Sequence, residues 1–351
     1  MPLAEVDAPR FHPTGIVGYP QPQNFAGLLQ GNPAAVSLSC PLSLGEFILM
    51  THWLWAVFTI IAAGGQTMRN AMQRELTATL GTVGATHVRF LYGLPFGLLF
   101  CALGLAWNGV PPPHLNGPMV AWTFLGALSQ ICATAMLLAA MREKNFLIVT
   151  ALTKTEPVHV ALFGLIVLGE HLTLGLGAAI VLATLGVLIM SWPKSGGSTD
   201  ARETAWRPVF LGLTAASFFA VSAIGFRRAI LLADPDHTNF VIRASTTLAL
   251  GLAIQTVVLT SYLLATSRET LTALFAAWRP SVKAGFMGAF ASQMWFLAFA
   301  VESAAKVRTL ALIEILFAGL ISRSLFKQGV LSREAAGIAL MIAGVAVLLN
   351  Q

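Results

Sequence analysis

The stretch Ala244–Ser267, ASTTLALGLAIQTVVLTSYLLATS, contains no charged residue. It meets the roughly 20 apolar residues that a helix needs to cross a bilayer. Phe90–Trp107, FLYGLPFGLLFCALGLAW, is equally free of charge. Runs of this kind recur along all 351 residues, and the chain is 56% hydrophobic, only 10% charged, with a mean hydropathy of +0.75. A soluble domain carries about 25% charged residues. The fold class that follows is all-α and integral to the membrane, with the lipid bilayer as its main partner.

Residues 1–49 differ in character. They are rich in Pro, Gly, Asn and Gln, lack an apolar stretch fit for a signal-peptide core, and read as a disordered extension. Met50 stands just before His52-Trp53-Leu54-Trp55, an interfacial aromatic anchor, so natural translation is expected to start there. The net charge of +6 belongs to membrane loops rather than to a nucleic-acid surface, since no long basic tract or soluble domain is present. Cys40, Cys101 and Cys132 have no CxxC spacing, so neither a disulfide framework nor a metal site is expected. No HExxH, GxSxG or GxxxxGK[ST] pattern occurs, which argues against an enzyme, a cofactor and ATP-driven transport.

Apolar runs between charged or Pro/Gly breaks predict about ten spans, near 51–69, 80–106, 117–140, 145–168, 173–191, 208–232, 238–264, 281–301, 306–326 and 332–350. The polar linker 192–207 divides them into 50–191 and 208–351. The two parts share features in one order. Arg69 answers Arg227, Arg89 answers Arg243, Leu125-Gly126-Ala127 answers Met287-Gly288-Ala289, Gln130 answers Gln293, Glu156 answers Glu314, and Gly186-Val187 answers Gly344-Val345. Five spans per copy reverse the second copy's entry into the membrane. The expectation is a 5+5 inverted repeat, whose midplane interface is where secondary transporters bind substrate.

At Glu156-Pro157-Val158-His159-Val160-Ala161-Leu162-Phe163-Gly164, Leu168-Gly169-Glu170-His171-Leu172-Thr173 and the Gly-rich fifth span, the chain resembles the EamA family of the drug/metabolite transporter superfamily. The second copy carries Glu314-Ile315-Leu316-Phe317, Phe326 to Ser332, and Gly337 to Gly344. It has Ile315 in place of Pro157 and no match for Glu170. The resemblance covers roughly Met50 to Gln351. It implies a ten-helix transporter in the inner membrane of a bacterium, with both termini cytoplasmic. Loop lysines and arginines, with Arg69, Arg227 and Arg308 counted among them, place both termini outside instead.

A charge at the bilayer centre costs at least ~2.5–3.5 kcal/mol, so intramembrane ionisable groups are functional candidates. Those here are Arg89, Lys154, Glu156, Arg243 and Glu314, with His87 and His159 beside them. Pro157 cannot donate a backbone hydrogen bond, so the turn at Glu156 should open and line a cavity. Lys154, two residues from Glu156, points to another face and must reach a different helix or an anionic substrate group. His159 shares the face of Glu156 and could relay protons, or simply pack. Arg89 and Arg243 read equally well as groups that, with Lys154, offer positive charge to a substrate carboxylate or phosphate, or as ties to glutamates between helices, near enough to span ends to snorkel. Gln130 and Gln293 are expected to bond between helices or to touch substrate.

The leading expectation is a secondary transporter moving a small polar metabolite, amino acid-like or otherwise charged, by alternating access, with protons as a coupling partner through Glu156 and Glu314. The rivals are an exporter of cationic drugs and a non-transporting structural or regulatory subunit.

Overall fold

The computed structural model describes residues 44–142, 153–191, 206–233, 239–314, 317 and 332–350. The expected extension up to residue 43, most of the 192–207 linker and the Phe326–Leu331 motif lie outside the described residues. Every regular element among the described residues is helical. In order they are α1 (Leu44–Leu91), α2 (Leu94–Asn108), α3 (Gly117–Arg142), α4 (Glu156–Phe163), α5 (Leu174–Ser191), α6 (Trp206–Leu232), α7 (Phe240–Thr266), α8 (Arg268–Ala276), α9 (Trp278–Val301), α10 (Ala304–Leu310) and α11 (Ser332–Leu349). Thr51–Gln351 is one compact unit.

Among the described residues, five stretches are long and apolar enough to cross a membrane: Trp53–Asn108, Gly117–Ala140, Phe210–Leu232, Phe240–Thr266 and Trp278–Val301. Three shorter apolar helices, Glu156–Leu168, Leu174–Ile189 and Ala336–Leu349, accompany them. Large apolar side chains such as Leu98, Leu103, Ile166 and Val257 stand exposed on these helices, as lipid-facing residues must.

The expected boundary at residue 69 is corrected. α1 runs on through Arg69, Asn70 and Gln73, and its break lies at Gly81, whose φ of 69° only glycine adopts readily. The expected 80–106 span is itself interrupted at Tyr92-Gly93, ahead of Pro95 in the first turn of α2. A side chain at Gly93 would collide with the Arg89 carbonyl, and one at Gly285 on α9 would meet Tyr92 at 2.5 Å. The end of α1 therefore lies directly against α9.

Asn116 caps α3 by accepting from Met119 N at 2.8 Å, and its amide donates to Leu232 O at 2.7 Å, joining that cap to the end of α6. Lipid tails are as apolar as leucine, so helices associate in a bilayer through close packing and polar contacts instead. Small residues provide that closeness here. α3 meets α6 where a Cβ on Gly225 would lie 3.0 Å from the Gly126 backbone. α5 meets α11 where a Cβ on Gly186 would lie 2.5 Å from Met341 N. In the same helix pair, one on Gly344 would lie 2.6 Å from Ala183 N. Of the Gly64-Gly65 pair, Gly65 has a close neighbour, Ala291 at 3.2 Å, and Gly64 none within 4 Å among the described residues.

Candidate functional site

Gln66, Arg69 and Asn70 are spaced three and four apart on α1, so they share one face of that helix. Arg89 occupies the last turn of the same element. Farther along, the chain turns at Lys154-Thr155 before α4 starts at Glu156, with Pro157 in its first turn. The interruption precedes the proline, which sits where its missing N–H leaves no bond unmade.

From the later part of the chain, Ser292, Trp295, Phe296 and Phe299 form one stripe on α9. Arg308 lies on α10, and Glu314 follows a 3₁₀ turn at Ala311–Ile313. These residues, with Gln130 and Leu137 of α3 and Phe219 and Phe226 of α6, line a cavity with about 730 Å³ of empty space, part of it open to solvent.

Charges from the two parts of the chain cross to each other. Lys154 Nζ lies 2.8 Å from Glu314 Oε2, an oxygen that also accepts from Gln66 Nε2 at 3.0 Å. Asn70 Nδ2 donates to the other oxygen at 3.3 Å. Gln66 is oriented in turn by Trp295, whose Nε1 donates to its Oε1 at 3.1 Å. Arg308 Nε is 3.1 Å from Glu156 Oε1, yet the pair is not aligned as a hydrogen bond, so the attraction is one of charge. The Arg308 guanidinium rests 4.5 Å over the Trp295 ring and 5.2 Å from that of Phe299.

A third tie stands beside the cavity. Gly164–Leu168 forms a π-helical turn ended by Gly169 at φ 64°, which delivers Glu170 to Arg227 Nε at 2.6 Å. Arg227 Nη1 donates to Phe299 O at 2.6 Å and to Glu302 O, satisfying carbonyls at the end of α9. Glu170, which has no match in the later part of the chain, thus finds its partner there.

Of the residues singled out in the sequence, Glu156, Glu314, Lys154, Arg89 and Gln130 line the cavity together. Arg243, His159 and Gln293 do not. Arg243 is on α7; Gln293 donates to Ser245 Oγ at 2.9 Å, a helix-to-helix bond. Gln130 also accepts from Gln255 Nε2 at 2.9 Å. Arg89 neither snorkels nor meets a glutamate among the described residues. It is 2% exposed and donates to Thr134 and Ser292 hydroxyls.

Sequence reasoning missed Gln66, Arg69, Asn70, Ser292, Trp295 and Arg308. Arg69, Arg227 and Arg308, counted as loop charges, are buried, so the orientation count loses three of its members. The signal for the first group was its i, i+3, i+4 spacing, hidden by ending the first span at residue 69.

Residues 50–192 match the profile of the EamA-like transporter family. A solved structure titled "Crystal structure of protein" aligns with a TM-score of 0.62 at 16% identity, covering 85% of this chain and 96% of that one. At that identity the likeness is one of fold. No curated protein matches.

Proposed function

We propose, from the match of residues 50–192 to the EamA-like transporter family, that this multi-pass membrane protein is a secondary active transporter of a small polar metabolite. The observation that carries the proposal is the pair of crossed ion pairs, Lys154–Glu314 and Arg308–Glu156, in one cavity among apolar helices. Such charges are costly in a bilayer and mark solute pathways. Each pair joins an element before the linker to one after it. Relative movement of the two parts therefore has to lengthen or exchange these contacts, as alternating access requires.

A 5+5 inverted repeat is part of the same reading. A constant shift of 158 residues carries Arg69 onto Arg227, Glu156 onto Glu314, and the limits of α5 onto those of α11. It also carries the neighbours of Gly344, Ala179 and Ala183, onto those of Gly186, Gly337 and Met341. Under that shift Arg89 pairs with Thr247 and Arg243 with Ala85, one turn away, which supplies a reason for Arg243 lying outside the cavity. The proposed location is a bacterial inner membrane.

We assign proton coupling to Glu156, whose Oε1 faces the Arg308 charge without an aligned hydrogen bond, whereas Glu314 is held by three donors. Metabolite uptake by proteoliposomes should respond to an imposed pH gradient. Glu156→Gln should abolish that response while leaving gradient-independent exchange. Transport by wild-type protein that ignores the gradient would remove the proton, and Glu156 from that role. Failure of Lys154→Met and Arg308→Gln to alter any transport would remove the cavity.

A further inference from the structure

Both carboxylates of the cavity are occupied, Glu314 by Lys154, Gln66 and Asn70, and Glu156 by Arg308. Two further cations, Arg69 and Arg89, line the same space, each 2% exposed. Among the described residues, no carboxylate stands within ion-pair distance of either. Arg89 gives Nη1 to Thr134 Oγ1 at 3.4 Å and Nη2 to Ser292 Oγ at 3.2 Å; Arg69 gives Nη2 to Asn70 Oδ1 at 2.8 Å. All three acceptors are neutral. Arg69 Nε and Nη1 and Arg89 Nε have no acceptor at all among the described residues.

The two side chains also converge. A Cβ at Gly288 of α9 would lie 3.0 Å from Arg89 Cγ and 3.5 Å from Arg69 Cδ, so the glycine leaves the room in which both stems pass. Two guanidiniums with idle donors, held close together away from water, repel each other and lack hydrogen-bond partners. One oxyanion between them would answer both deficits, since a guanidinium's planar fork matches carboxylate and phosphate oxygens. The apolar wall of Phe219, Phe226 and Phe296 faces the same cavity.

We propose that Arg69 and Arg89 form an oxyanion subsite, and that the solute is a small organic anion with a carboxylate or phosphate head and an apolar body. That the anion is a transported solute rests on the transporter reading; the subsite itself rests on the arginines. With both glutamates neutralised and two cations spare, the cavity disfavours a cationic drug.

The test uses the full chain in phosphatidylcholine nanodiscs, with thermal unfolding followed in benzoate, phenyl phosphate or benzylamine at fixed ionic strength. Binding to the folded state raises Tm. Benzoate or phenyl phosphate should raise it and benzylamine should not. Arg69→Gln and Arg89→Gln should each weaken the anion effect about tenfold or more. Ser292→Ala and Gly288→Ala, milder changes that keep the charges, should weaken it by less, and they serve if the arginine variants do not fold.

No shift with either anion, an equal or larger shift with benzylamine, or an anion shift unchanged in the folded variants would overturn the subsite. Loss of the benzoate shift in phosphatidylglycerol nanodiscs would assign the arginines to a lipid headgroup and overturn the free solute. Labelled counterflow separates the two levels. Anion binding without counterflow refutes transport and leaves the subsite; benzylamine counterflow without anion binding does the reverse.

Discussion

Lys154 and Glu314 are 15% and 9% exposed in their side chains, and three donors converge on the one carboxylate. Removing one member of a well-buried pair leaves an uncompensated charge, at a cost of about 3–5 kcal/mol, whereas removing both can be close to neutral. Lys154→Met should therefore lower the unfolding temperature in detergent more than the double variant Lys154→Met/Glu314→Gln. Equal losses for the double variant and the sum of the singles would show that the pair is not coupled. Arg308→Lys makes a finer test. A lysine keeps the charge near Glu156 but loses the flat face that lies on Trp295. Stability should change little, while the apparent KM for the metabolite rises. An unchanged KM would reduce the stacking to packing.

At the scale of elements, α5 and α11 are both 18 residues long and meet through glycines. Gly186→Ala must push its new methyl into the backbone of α11, and overpacking of this kind costs about 1–3 kcal/mol. Gly177, on the same helix, has nothing within 4 Å of an added Cβ among the described residues. Gly177→Ala should be neutral or gain up to ~1 kcal/mol from helix propensity. If both variants unfolded at the same temperature, the helix pairing would be wrong. These elements were legible in the sequence because long uncharged runs such as Ala244–Ser267 have no other stable state in lipid. The glutamates of the cavity were legible because a carboxylate among apolar residues needs a reason. Arg69 and Arg308 were not. Each follows a stretch that mimics a span end, and a basic residue there reads as a loop charge until the path of the helix is known.

For the whole molecule, the main helix contacts, α3 with α6 and α5 with α11, join residues before the linker to residues after it. Both crossed ion pairs and the Glu170–Arg227 pair do the same. Neither part then pairs these charges by itself. Residues before the linker would alone expose Glu156 and Glu170 to lipid without their cations, and those after it would leave Arg227 and Arg308 likewise unpaired. These crossing contacts, and not the covalent link, then hold the two parts together. A protease site placed within 194–203 of the linker should consequently cut the chain into two fragments that stay together in mild detergent and keep counterflow activity. The same cut in a Gly186→Ala/Lys154→Met background should let the fragments separate, since one packing contact and one charge contact are both weakened. Separation of the wild-type fragments immediately after cleavage would mean that the linker, and not the crossing contacts, holds the transporter closed around its cavity.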